Sequence, residues 1–241
     1  MDDDLKMLVH SASEEVLNDV IANPELDEED LLVLLARRDL SGELLRKVAR
    51  DPAKTRSYRV RLALLRHPRT PASATLTFVG QLHLFDLVAV SLLPHVPREI
   101  RAACEGSILQ QLKQIPLGSK VTLARRTGSS VVLGRLLVDR ESQVVEAVLT
   151  NPRLTEGLVV VALRDGGVPP HTVHLVSGNS RWSVRHDVRY ALIRNRHTPL
   201  ARALQFLNTM SREDIRTLAR DPAVPTALRG YLAKATGGLS R

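Results

Sequence analysis

Residues 5–104 of this 241-residue chain fall on residues 133–232 at a constant offset of 128, with no gap. Asn23-Pro24-Glu25-Leu26-Asp27-Glu28 lands on Asn151-Pro152-Arg153-Leu154-Thr155-Glu156, and Val60-Arg61-Leu62-Ala63-Leu64-Leu65-Arg66 on Val188-Arg189-Tyr190-Ala191-Leu192-Ile193-Arg194. Thr70-Pro71 matches Thr198-Pro199, Phe78 matches Phe206, Asp86 matches Asp214, and Val96-Pro97 with Arg101 match Val224-Pro225 with Arg229. A single register that keeps prolines, aromatics and charges together over that distance marks an internal duplication, so the chain should fold as two similar lobes. The lobes are expected at 1–104, with acidic first helices, and at 133–241, with a short tail; a connecting segment occupies 105–132.

Smaller units recur inside each lobe. Asn23-Pro24, Asp51-Pro52, His67-Pro68, Asn151-Pro152 and Asp221-Pro222 close short amphipathic stretches. Proline disfavours α geometry in the residue before it and cannot donate to the preceding turn, so each dipeptide stops a helix. Asparagine also tolerates a left-handed cap. Starts are marked by Ser11 with Glu14 as a capping box, by Asp27 and Thr155, and by Thr70-Pro71 and Thr198-Pro199 as cap and first helical residue. Between them, sets such as Leu31, Leu32, Leu34, Leu35 and Val144, Val145, Val148, Leu149 have helical spacing. Roughly fifteen short helices follow. Val159, Val160 and Val161 favour strand, but their counterparts in the first lobe are Leu31, Leu32 and Val33, bracketed by the same start signals, and both runs read as buried helix.

The alternation of short helix, Asn-Pro, Thr or Asp cap and leucine-rich helix, with Val-Arg-x-Ala in the longer helices, resembles the bacterial HEAT-like and leucine-rich-repeat-variant families. The resemblance spans nearly the whole chain and implies an all-α fold, an α-solenoid of short antiparallel helix pairs. It also implies a binding scaffold, since such repeats present extended concave surfaces. The Cys-rich iron-sulfur module of some leucine-rich-repeat-variant proteins has no counterpart beside the single Cys104. HEAT-like alkylpurine DNA glycosylases are a second relative to weigh, with a Trp pocket around an Asp. Here Trp182 is the only Trp, Asp187 lies five residues on, and aromatics make up 3% of the chain, too few for that cradle.

Charge is unevenly placed. Residues 2–30 hold eleven acids (Asp2, Asp3, Asp4, Glu14, Glu15, Asp19, Glu25, Asp27, Glu28, Glu29, Asp30) against Lys6 alone, which leaves 33 bases and 15 acids elsewhere, a balance of +18. That balance suits an anionic partner, with the acidic helices capping the basic body or competing for it. One cysteine excludes a disulfide framework and favours a reducing compartment. No apolar run approaches the roughly 18 residues of a membrane span, and the acidic start is unlike a secretory signal; a cytoplasmic location is expected.

Catalytic footholds are few. Gly166-Gly167 and Gly237-Gly238 read as turn and tail glycines rather than a phosphate loop, and His171 with His174 lacks a third metal ligand. No enzyme activity, metal, cofactor or small-molecule substrate is expected. Arg56, Arg59, Arg61 and Arg66 read as one helix, and Trp182, Arg185, His186 and Arg189 as its duplicate, where an exposed indole would sit beside guanidinium groups. Arg61, Arg101, Arg189 and Arg229 recur under the duplication and should brace neighbouring repeats, against Asp86 and Asp214. Arg56, Arg59, Trp182, Arg185 and His186 are therefore the candidate binding residues. The first reading of function is a non-enzymatic scaffold that binds a protein partner or assembly through its concave surface. The second is nucleic-acid binding through a basic concave face, and a DNA glycosylase is a remote third. An exposed apolar patch would mark the first and a continuous basic stripe the second.

Overall fold

The structure is a computed structural model that describes residues 7–237; Asp2, Asp3, Asp4 and Lys6 of the acidic set, and Gly238, lie outside the described residues. Among the described residues there are sixteen α-helices, one 3-10 turn (Lys54–Arg56) and no strand. The chain divides into two compact units, Met1–Gln114 and Ile115–Arg241. The first holds α1 (Glu14–Ala22), α2 (Glu28–Leu35), α3 (Gly42–Arg50), α4 (Tyr58–Arg66), α5 (Ala72–Val79), α6 (Leu84–Ser91) and α7 (Arg98–Gln111). The second holds α8 (Leu117–Arg126), α9 (Ser130–Leu137), α10 (Ser142–Leu149), α11 (Glu156–Arg164), α12 (Pro170–Gly178), α13 (His186–Arg194), α14 (Leu200–Leu207), α15 (Arg212–Arg220) and α16 (Thr226–Gly237). The valine run 159–161 is helical, inside α11.

Helices pack on the helix two along. In the first unit α1, α3, α5 and α7 form one row and α2, α4 and α6 another; in the second, α8, α10 and α12 face the row α9, α11 and α13. Helices of 8 to 14 residues are too short to be stable alone, so this packing supplies their stability. Leu64 and Leu192 are fully buried in it, as is Cys104, whose thiol burial pushes up to about 11.

Proline stops the helices by extension. Asn23, Asp51, His67 and Asp221 each end a helix with ψ between 110° and 130°, ahead of a proline. No described residue has positive φ, so the left-handed asparagine cap is not used. Asp27 and Thr155 do cap their helices, taking the backbone N–H of Asp30 (2.7 Å) and Leu158 (3.4 Å). Ser11 does not: Ser13 precedes α1, and Ser11 Oγ takes the Ser13 N–H. The reciprocal Ser–acid cap occurs instead at Ser211 and Asp214. Thr70 and Thr198 lie one residue too early, because Pro71 and Pro199 occupy the extended position before the first helical residue; Thr198 Oγ1 donates to Leu192 O instead.

The stop residues have a second task. A helix leaves its last carbonyls without partners, and here side chains from later in the chain close them. His67 Nε2 donates to Arg37 O (2.6 Å), His95 Nε2 to Arg66 O (2.7 Å) and His171 Nε2 to Asp139 O (3.0 Å). Asn151 Nδ2 donates to Ala124 O (2.7 Å) and Thr127 O (3.0 Å), and Asn195 Nδ2 to Leu163 O (2.7 Å). Each bond spans 24 to 32 residues, one helix pair, and ties a turn to the turn before it.

Candidate functional site

The candidate residues fall in both units. In the first, Arg56 belongs to the 3-10 turn rather than to α4, which begins at Tyr58. It borders an open hollow that also carries Asp27, Glu28, Asp51 and Lys54, with Asp51 paired to Lys54 at 2.8 Å. Arg59 is exposed but engaged: its Nη1 meets Glu28 Oε1 at 3.3 Å and also Glu29 of α2. The acidic N-terminal segment thus pairs directly with one of the arginines expected to be free.

In the second unit, Trp182 and Arg185 precede α13, so the expected helical face is not formed. The indole is 1% exposed, and its Nε1 donates to Leu149 O at 2.9 Å, closing the end of α10. The guanidinium groups of Arg181 and Arg185 lie over the ring, 4.6 and 5.1 Å from its centroid. Trp182 is a structural plug under two arginines, because only the core offers the end of α10 a donor on so large an apolar body. Arg185 Nη1 pairs with Glu156 Oε2 at 2.9 Å. Exposed pairs of this kind contribute little, so they hold Arg59 and Arg185 loosely.

His186 opens α13. Its Nδ1 faces Asp187 Oδ1 and its Nε2 faces Asp214 Oδ2 at the start of α15, both at 3.0 Å, with Tyr190 alongside. Bonds to Asp187, then Asp214, raise its pKa, and bonds from Ser211, then His186, hold Asp214 low. At the matching position of the 128-residue offset stands Tyr58, which donates its hydroxyl to Asp86 and carries no charge near neutral pH. The His186 contribution is full below the unfolded value near 6.5 and is lost as pH rises through the raised folded value; that of Asp214 is lost only as pH falls through its lowered one. The second unit should therefore lose thermal stability from about pH 5.5 to about pH 8.5. His186→Tyr should abolish that loss, as read by melting at both pH values; an unchanged loss would remove the bridge as its cause.

Arg61, Arg101, Arg189 and Arg229 do not use Asp86 and Asp214. Asp86 is taken by Tyr58 and by Arg66 Nη2 (3.0 Å), and Asp214 by Ser211 and His186. Arg189 reaches Thr209 Oγ1, Arg101 reaches Leu93 O and Val96 O, and Arg229 reaches Pro222 O. These three brace turns, not acids, while Arg61 Nε is buried without a hydrogen-bond partner among the described residues.

The valine run expected to be buried helix is buried only at Val159 and Val160; the helical turn carries Val161 outward, as it does Val33 in the first unit. On the row of α9 and α11, Val131 and Val161 are 53% and 67% exposed; Val184, beside Arg185, is 64% exposed. Arg125, Arg153 and Arg181 are exposed in the last turn of α8 and in the turns after α10 and α12. Their equal spacing along the chain was the available signal. No group of three or more metal-ligating side chains occurs among the described residues, and no described helix is long and apolar enough to cross a membrane. Compared with protein-family models, with curated proteins and with solved structures, the chain matches none of them.

Proposed function

We propose that the chain is a non-enzymatic α-solenoid, HEAT-like and internally duplicated, that acts in the cytoplasm as a scaffold for a protein partner. Helix limits support the duplication: α3 and α12, α4 and α13, and α5 and α14 begin and end at matching positions of the sequence repeat. Packing of alternate helices, with side chains closing helix ends one helix pair away, supports the solenoid. The histidines that bond carbonyls, and the buried, weakly acidic Cys104 thiol, act as structural groups, which supports a binding rather than a catalytic role.

The observation that carries the partner class is the exposure of Val131 and Val161 on one helix row. A protein surface covers such side chains, whereas a nucleic acid directs phosphate and sugar outward and offers them little. Nucleic acid is the second reading, favoured by the +18 balance outside the acidic segment. The test is capture on the immobilised full chain from native cytosol, with and without nuclease, followed by binding of the purified captured protein. A protein retained after nuclease is expected, with affinity falling more than about tenfold when Val131→Asp and Val161→Asp are combined, at unchanged melting temperature. Loss of the partner on nuclease treatment, or equal binding by the double variant, would overturn the reading.

A further inference from the structure

We infer that the edge of the second unit carrying Arg125, Arg153 and Arg181 is a docking strip for an extended acidic segment of the protein partner. The inference deepens the scaffold reading and rests on it. The three arginines recur at equal intervals, one per helix pair, and all are exposed. Hydrogen bonds stack the turns that carry them. Asn151 Nδ2 reaches Ala124 O and Thr127 O, Arg181 Nη1 reaches Asn151 O at 3.4 Å, and Trp182 Nε1 reaches Leu149 O. Packed helices lie about 8–10 Å apart, so the guanidinium groups repeat at roughly that pitch. None of the three pairs with a carboxylate among the described residues, and the side chains of Arg125 and Arg153 have no partner there.

The fold does not require these charges. The counterparts of Arg153 and Arg181 in the first lobe are Glu25 and Ala53. Asn23 Oδ1 takes the Glu25 N–H at 2.9 Å as Asn151 Oδ1 takes that of Arg153 at 2.7 Å; Asp51 Oδ1 takes the Ala53 N–H as Asn179 Oδ1 takes that of Arg181, both at 2.9 Å. The same backbone turn is built with an acid, a methyl group or an arginine, so the turn itself does not call for the charge of Arg153 or Arg181, although the Arg181 side chain also reaches Asn151 O and covers Trp182.

An extended segment in polyproline II geometry has three residues per turn and rises about 3.1 Å per residue, so an acid at every third residue stays on one face and meets each guanidinium in turn. The guanidinium fork takes a carboxylate in two parallel hydrogen bonds. Val184, exposed shortly after Arg181, gives an apolar residue between the acids a place to rest. Single-stranded nucleic acid would need stacking platforms, and the aromatic ring on this edge, Trp182, is covered.

The test uses the full chain and a labelled synthetic peptide in which a Glu-Leu-Ser unit repeats four times, beside an oligothymidylate of equal charge. The peptide should bind more tightly than the oligonucleotide. Arg125→Gln with Arg153→Gln should weaken the peptide more than about tenfold, since neither side chain supports the fold. A charge-matched control, Arg212→Gln with Arg216→Gln on α15, should change binding less than about twofold. Equal losses in both double variants, no loss in the first, or tighter binding of the oligonucleotide would overturn the strip. If the captured partner is lost by the valine double variant but kept by the arginine one, the scaffold reading stands and the strip alone falls.

Discussion

Trp182→Ala should cost about 3–5 kcal/mol of unfolding free energy, the range for removing a fully buried large aromatic. The ring is 1% exposed, and its loss also strips Leu149 O of its donor. Trp182→Phe separates the two effects: it keeps most of the bulk and should cost about 1–3 kcal/mol, mainly the unpaired carbonyl. Denaturant titration measures both, with hydrogen exchange to locate the change. If the helix pairs contact chiefly their neighbours, protection should fall in α10 to α13 and persist in the first unit. A cost below about 1 kcal/mol for the alanine would mean that the indole does not plug the end of α10. The burial also bears on binding: a partner lost by Trp182→Ala would report a loosened unit, so the exposed valines and arginines are the residues to vary.

Helix count and helix ends were legible because they depend on neighbours in sequence. Pro24, Pro52, Pro68 and Pro222 fix the residue before them by local sterics, and Asp27 and Thr155 reach N–H groups in the next turn of chain. The errors at Ser11, Thr70 and Thr198 are displacements of one or two positions, since a capping pattern fits adjacent positions almost equally well. The partners of the stop residues were not legible. Asn151 reads as a turn former, yet its amide closes a helix of the preceding pair, and no local pattern announces which carbonyl it will find. Trp182 was misplaced for the same reason. Spacing put it on a helical face with Arg185 and Arg189, whereas it lies in the turn before that helix, folded back onto Leu149. Charge misled similarly: formal balance counts Arg59 and Arg185 as free, but the acids that engage them, Glu28, Glu29 and Glu156, stand one helix pair earlier in the chain.

Leu64→Ala and Leu192→Ala, at duplicate positions in α4 and α13, should each cost about 2–5 kcal/mol, because both side chains are fully buried between helix rows. The measurement that matters is where each cost appears. Leu64 packs within the helices around α4, and Leu192 within those around α13. If stability is a sum of repeat and nearest-neighbour terms, Leu64→Ala should lower exchange protection in α2 to α6 and spare α11 to α14, with the converse for Leu192→Ala. Similar losses at the two sites, each confined to its own unit, are what two copies of one packing solution require. Uniform loss of protection across both units from either change would show one cooperative core and contradict the nearest-neighbour account. A large difference in cost would show that the two matching positions are packed differently, since the cost of a leucine truncation depends on how far its surroundings collapse into the space left behind.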